Sequence, residues 1–272
     1  MTEPVVEDFL DLAHALADAA RAESLAQFRA NPETADKNAG GDFDPVTLAD
    51  KNAEAAMRAL IREHAPDHGV RGEEFPETPA RGPWRWTLDP IDGTRAYIAG
   101  FPLWVVLIAL SYEGRPVLGV IDQPYLNERY VGVIPQKGPA RAWLSRSGSP
   151  DRPLSVRPCA GLRDATLAST DPFLFEGGEA GAFEQVRQAA KLSRFGGDGY
   201  AYAMLALGGV DLVIESGLQP HDAQALIPVV EGAGGLLTNW RGGPAWEGGQ
   251  VIAAGDHRAH EQALVALKRA AR

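Results

Sequence analysis

The chain has a single cysteine, Cys159, among 272 residues. No intrachain disulfide can form, and a reducing cytoplasm is the expected compartment. No histidine lies near Cys159 in sequence, so it reads as a buried structural thiol rather than a nucleophile. Positive charge is also scarce. Lys and Arg number 26 against 36 Asp and Glu, a net charge of −10. That argues against a nucleic-acid binder, which needs a basic face. Long apolar runs are missing too: the longest, Phe101 to Leu110, is too short to cross a bilayer. Met1-Thr2-Glu3-Pro4 has neither the basic nor the apolar region of a signal peptide.

What remains is a chain of ordinary globular composition, 45% hydrophobic and 23% charged, long enough for one large domain or two small ones. Apolar residues at helical spacing predict helices over 5–29 and 47–64, joined by a polar loop over 31–44. A loop over 69–83 contains Gly72-Glu73-Glu74. Apolar runs at 84–89, 103–112, 116–123 and 129–133, separated by turn signals, predict strands, the last three as an antiparallel meander. The polar stretch 138–152 is taken as the join between an N-terminal half, 1–148, and a C-terminal half, 149–272. Strands and helices alternate beyond it, which predicts an α/β half following an α+β half. Helices are expected at 180–192, 200–207, 222–231 and 257–271, and strands at 165–170, 194–195, 211–215, 235–238 and 251–254. Pro228 is awkward inside the third of these helices.

The most informative stretch is Leu88-Asp89-Pro90-Ile91-Asp92-Gly93-Thr94. A strand ending at Asp89 would present two carboxylates, the donors that hard cations such as Mg²⁺ prefer. The N–H groups of Gly93 and Thr94 beside them can receive a phosphate oxygen. Asp-Pro and Asp-Gly are also turn dipeptides. An anionic phosphate would be repelled by the overall charge, so bound cations are needed locally. Other acids are ambiguous singly. Glu73 reads as loop charge. Asp50, three residues after Thr47, is either a capping-box acid or functional. Asp222 is either an N-cap or a ligand at a strand-to-helix junction, where α/β folds place sites. If Glu73, Asp89, Asp92 and Asp222 converge, their repulsion itself demands divalent metals.

Taken in order, Gly72-Glu73-Glu74, Asp89 through Thr94, and an Asp opening an Ala-containing helix ahead of Glu231-Gly232-Ala233-Gly234-Gly235 resemble the inositol monophosphatase superfamily over nearly the whole chain. The resemblance is strongest to its histidinol-phosphate phosphatase branch, through Asp44–Asp50, Asp89–Arg95, Arg194–Asp198 and Ala225–Gly232. It implies a layered αβαβα architecture and a Mg²⁺-dependent phosphomonoesterase, a homodimer acting on a small phosphorylated metabolite. It further implies two or three Mg²⁺ per site. One would be held by Glu73, Asp89 and the Ile91 carbonyl, a second by Asp89, Asp92 and Asp222, and a third beside Glu73.

In that family pattern Glu73, Thr94 and Asp50 are catalytic: Thr94 and Glu73 orient a metal-activated water and take its proton, and Asp50 hydrogen-bonds Thr94. Gly93 and Thr94 bind phosphate. Asp92, Asp198, Glu215 and Arg194 face the alcohol, with Asp198 and Glu215 forming an acidic pocket suited to the amine of histidinol phosphate. Lys37 approaches the site from its loop. The chain departs from the family at His221, where an aromatic residue is usual. The alternatives are an inositol-1-phosphate or broad sugar-phosphate phosphatase, and a catalytically silent metal-binding scaffold. Asp198 as a simple turn residue stays open.

Overall fold

The structure, a computed structural model, describes residues 5–30, 34–36 and 45–272, with 34–36, 45 and 46 as backbone only. Lys37 and Asp44 lie outside the described residues. A 3-10 turn at Val6–Phe9 leads into α1 (Leu10–Gln27). Strands β1 (Thr34–Asp36) and β2 (Pro45–Thr47) pair antiparallel. Helix α2 (Leu48–His64) opens on Thr47, whose Oγ1 accepts from the Ala49 N–H at 3.1 Å.

A seven-stranded sheet follows, formed by β3 (Gly69–Gly72), β4 (Trp84–Asp92), β5 (Val105–Tyr112), β6 (Arg115–Gln123), β7 (Glu128–Val133), β8 (Arg141–Ser145) and β9 (Arg152–Pro153), in that spatial order. The short helix α3 (Thr94–Ile98) leaves the end of β4. All neighbours are antiparallel except β3 and β4. The second half contains β10 (Thr166–Ser169), α4 (Gly178–Ala189), β11 (Leu192–Phe195), α5 (Asp198–Ala206), β12 (Leu212–Leu218), α6 (Pro220–Ala223), α7 (Leu226–Gly232), β13 (Leu236–Asn239), β14 (Gly249–Ala254) and α8 (His257–Leu267). Its five strands run β11-β10-β12-β14-β13, with β10 parallel to β11 and β12, and β14 antiparallel to both neighbours.

Strand β5 is apolar at almost every position because both of its faces are covered. Val106, Ile108 and Leu110 pack with Leu16, Ala20 and Met57 of α1 and α2. The alternate residues Val105, Leu107 and Ala109 pack with α5 and α7, whose far side meets Val213 and Ala253 of the second sheet. The other face of that sheet, through Leu212, Ile214 and Ile252, meets Phe183 of α4 and Leu264 of α8. The layers are therefore αβαβα, as expected. Small residues let them close: a Cβ on Gly132 would sit 2.2 Å from the Pro228 backbone.

Three segments differ from the expectation. The supposed loop 69–83 begins with β3, a strand specified by its pairing to β4 rather than by its own short sequence. The join 138–152 carries β8 and reaches β9, so the first sheet runs across residue 148. The helix expected over 222–231 is two helices. Pro228 falls in the first turn of α7, where the missing N–H would have had no helical partner.

Candidate active site

Strand β4 continues past Asp89 to Asp92, and its ladder with β5 shifts between them. Asp89 stands opposite Leu107 and Asp92 opposite Val105, so three steps on β4 match two on β5. This is a bulge, and the extra residue brings both carboxylates to the same face of the sheet, which strict alternation would forbid. Pro90 lies within it, where no ladder N–H is required. The Ile91 N–H donates to Asp89 Oδ1 at 3.1 Å.

The chain then turns at Gly93, whose φ of +85° belongs to the left-handed region that glycine occupies freely. The Thr94 hydroxyl donates to the Ile91 carbonyl at 3.1 Å. Asp50 is fully buried at the start of α2, and its Oδ2 accepts from the Thr47 N–H at 2.8 Å and the Thr47 hydroxyl at 2.6 Å. The capping geometry is thus real, and Asp50 still adds to the negative field on Asp89. Glu73, just beyond β3, does the same.

The second half completes the pocket. Asp222 lies in the first turn of α6, which packs against β4, and its Oδ2 accepts from the Gln219 N–H at 2.6 Å. Asp198 opens α5 with a φ of +41°, an uncommon conformation for a residue with a side chain. A Cβ on Gly93 would lie 3.2 Å from the Asp198 carboxyl carbon, so Asp198 stands directly beside the proposed phosphate cradle. Next to it, the Gly199 N–H donates to Asp92 Oδ2 at 2.5 Å. Glu215, on β12, is buried. The Thr170 N–H donates to its Oε1 at 2.9 Å, the Thr170 hydroxyl also donates there, and the Tyr202 hydroxyl donates to Oε2 at 3.0 Å. Thr170 and Gly196–Asp198 follow the carboxyl ends of the parallel strands β10 and β11, where α/β sheets place ligands.

The sequence profile of the Inositol monophosphatase family matches residues 5–271. This chain belongs to the inositol monophosphatase family. It is similar to the bifunctional phosphatase IMPL2, chloroplastic, of Arabidopsis thaliana, with 41% identity over 98% of this chain and 77% of that protein. It is 36% identical to a histidinol-phosphatase of Streptomyces coelicolor, over 94% of this chain and 97% of the relative. Among solved structures, an inositol monophosphatase from Zymomonas mobilis superposes with a TM-score of 0.82 at 42% identity, covering 98% of this chain and all (100%) of that one. As a member of this family, the chain is a phosphatase, a phosphoric monoester hydrolase, of a metal-dependent kind.

The carboxylates fit a divalent metal. Oxygens of Asp89, Asp92 and Asp222 lie within 4.8 Å of one another, and Glu73, Asp89 and a ring nitrogen of His221 form a second set at the same spacing. Burial pushes the Asp89 carboxyl well above the usual range, and Glu73, Asp92, Asp222 and Asp50 push it further. Asp92 is raised by burial and then by Asp198 and Asp222. Asp222 is raised by burial, offset in part by His221. Like charges held this close at a partly buried site are stabilised by cations, and carboxylate oxygens are the donors hard cations take. Farther in, burial raises Asp198 to about 6, against the pull of Thr170 and Arg95, and raises Glu215 to about 7.

Proximity and charge coupling therefore join Glu73, Asp89, Asp92, Asp198, Glu215 and Asp222 in one cluster, with Ile91, Gly93 and Thr94 on the adjoining turn and Asp50 within its field. Arg194, exposed on the edge strand β11, lines a cavity of about 220 Å³ with Leu103, Phe195, Gly197 and Tyr200. Sequence reasoning missed Gly199, Thr170 and Tyr202. A signal for Thr170 was its place at the end of a strand; the other two carry none, since one acts through backbone and one through a fold contact. Among the described residues no helix is long and apolar enough to cross a membrane.

Proposed function

We propose that this phosphatase hydrolyses histidinol phosphate to histidinol and phosphate. The observation that carries the reading is the position of Asp198, a carboxylate beside the glycine of the phosphate cradle, with Glu215 behind it. Two acids there, Glu215 buried and Asp198 partly buried, suit an alcohol that bears a cationic amine, since an ammonium would offset the repulsion that helps raise both groups. Arg95 opposes part of the Asp198 charge in the free protein.

In this proposal Glu73, Asp89, the Ile91 carbonyl, Asp92 and Asp222 hold two or three Mg²⁺. When bound, these ions supply positive charge to the phosphoryl group and acidify water. The N–H groups of Gly93 and Thr94 hold the phosphate oxygens. The Thr94 hydroxyl and Glu73 orient the attacking water, and Glu73 takes its proton. Asp50, which caps α2 through Thr47, would hydrogen-bond Thr94 and so fix its hydroxyl. Water attacks phosphorus as Glu73 takes its proton, the ester P–O bond breaks, and the leaving alkoxide takes a proton from solvent water, to which Glu73 then returns its own.

The second reading, an inositol-1-phosphate or broad sugar-phosphate phosphatase, draws on the Zymomonas mobilis likeness, because carboxylates also accept hydrogen bonds from a polyol. Steady-state phosphate release separates the two. The first predicts a kcat/KM for histidinol phosphate at least tenfold above that for inositol 1-phosphate. It also predicts that Asp198→Asn lowers the first by about 10- to 100-fold, the worth of a charge-assisted hydrogen bond, and the second by less than about threefold. Equal wild-type turnover of the two esters would refute it.

A further inference from the structure

His221 has no role in the proposed chemistry, yet it faces it. It is the second residue of α6, between Pro220 and Asp222, on a single turn packed against β4. Its imidazole is partly buried, with 18% of the side chain exposed, and Nε2 lies 3.5 Å from Asp222 Oδ1. One ring nitrogen lies within 4.8 Å of an oxygen of Glu73 and an oxygen of Asp89, and those two oxygens are equally close to each other. Donors around one ion at bond lengths of about 2.0–2.4 Å stand no more than about 4–5 Å apart. The three atoms are therefore spaced to share a cation, and two of them belong to the residues proposed to hold the first Mg²⁺.

Imidazole is a poor partner for Mg²⁺, which keeps oxygen ligands, and a good one for first-row transition metals. The geometry points to His221 as a nitrogen ligand of the ion between Glu73 and Asp89, making this position selective for Mn²⁺, Co²⁺ or Zn²⁺ over Mg²⁺. The inference rests on the metal-site reading and goes beyond it: it adds a fourth donor to Glu73, Asp89 and the Ile91 carbonyl, and at this one position it favours a transition metal over the Mg²⁺ of that reading. A ring that only neutralises Asp222 would instead help every divalent ion, or hinder every one, alike.

The test uses the full-length protein stripped of metal. Loaded with Mn²⁺ and studied by pulsed electron paramagnetic resonance, it should show modulation from a directly bound nitrogen. That modulation should change when all histidines carry ¹⁵N, a readout that needs no variant. In calorimetric titrations, His221→Phe should weaken Co²⁺ by at least about tenfold and Mg²⁺ by less than about threefold. Bound Mn²⁺ without nitrogen modulation, or equal weakening of Co²⁺ and Mg²⁺, overturns the His221 assignment and leaves the carboxylate site standing. Absence of saturable binding of any of these ions to the wild type overturns both.

Discussion

Glu215 is a carboxylate in the protein interior, held by the Thr170 N–H, the Thr170 hydroxyl and the Tyr202 hydroxyl. Those donors favour its charged form, but burial outweighs them and the group rises from 4.5 to about 7. Between those pH values the folded protein keeps a proton that the unfolded chain releases. Stability from this group is therefore present below about pH 4.5 and is lost as pH rises to about 7, by roughly 3 kcal/mol at about 1.4 kcal/mol per pH unit. Urea unfolding of the metal-free protein should show this loss between about pH 5 and pH 8, reduced by about that amount in Glu215→Gln. An identical pH dependence in wild type and variant would contradict the assignment. Read from sequence, Glu215 was visible only through the family pattern. Its donors were not, because Thr170 and Tyr202 are remote in sequence and converge through two strands and a helix.

At the scale of elements, the bulge in β4 and the seating of α7 decide whether a site exists. The sequence marked Asp89 and Asp92 plainly but ended the strand at the first. Nothing local announces that the ladder slips by one residue, since the slip is defined only against β5. The single helix expected over 222–231 shows the same limit: its apolar pattern was legible, while the break at Gln224–Ala225 follows from docking α6 on β4 and α7 on the sheet. Helix α7 approaches β7 so closely that Gly132 has no room for a side chain. Gly132→Ala should cost about 3 kcal/mol or more, the upper range for overpacking, because the Cβ would meet backbone rather than a movable side chain. A urea midpoint unchanged from wild type would show that the layers are not seated this tightly.

For the whole molecule, the layered order of helices and sheets was legible because each layer leaves a periodic trace. Strands covered on both faces read as unbroken apolar runs, and the outer helices read as amphipathic stripes. The convergence of Glu73, Asp89, Asp92 and Asp222 left no such trace, since their closeness depends on how the two halves pack. Its consequence is electrostatic. A chain with a net charge of −10 gathers four of its own carboxylates around the place where an anion must bind, and only cations make that site receptive. The most direct measurement is phosphate release from histidinol phosphate before chelation, after exhaustive removal of divalent ions, and after Mg²⁺ is restored. The account predicts activity that vanishes and returns, with a parallel fall and recovery of the thermal unfolding temperature; phosphate release that persists in the metal-free protein would contradict it.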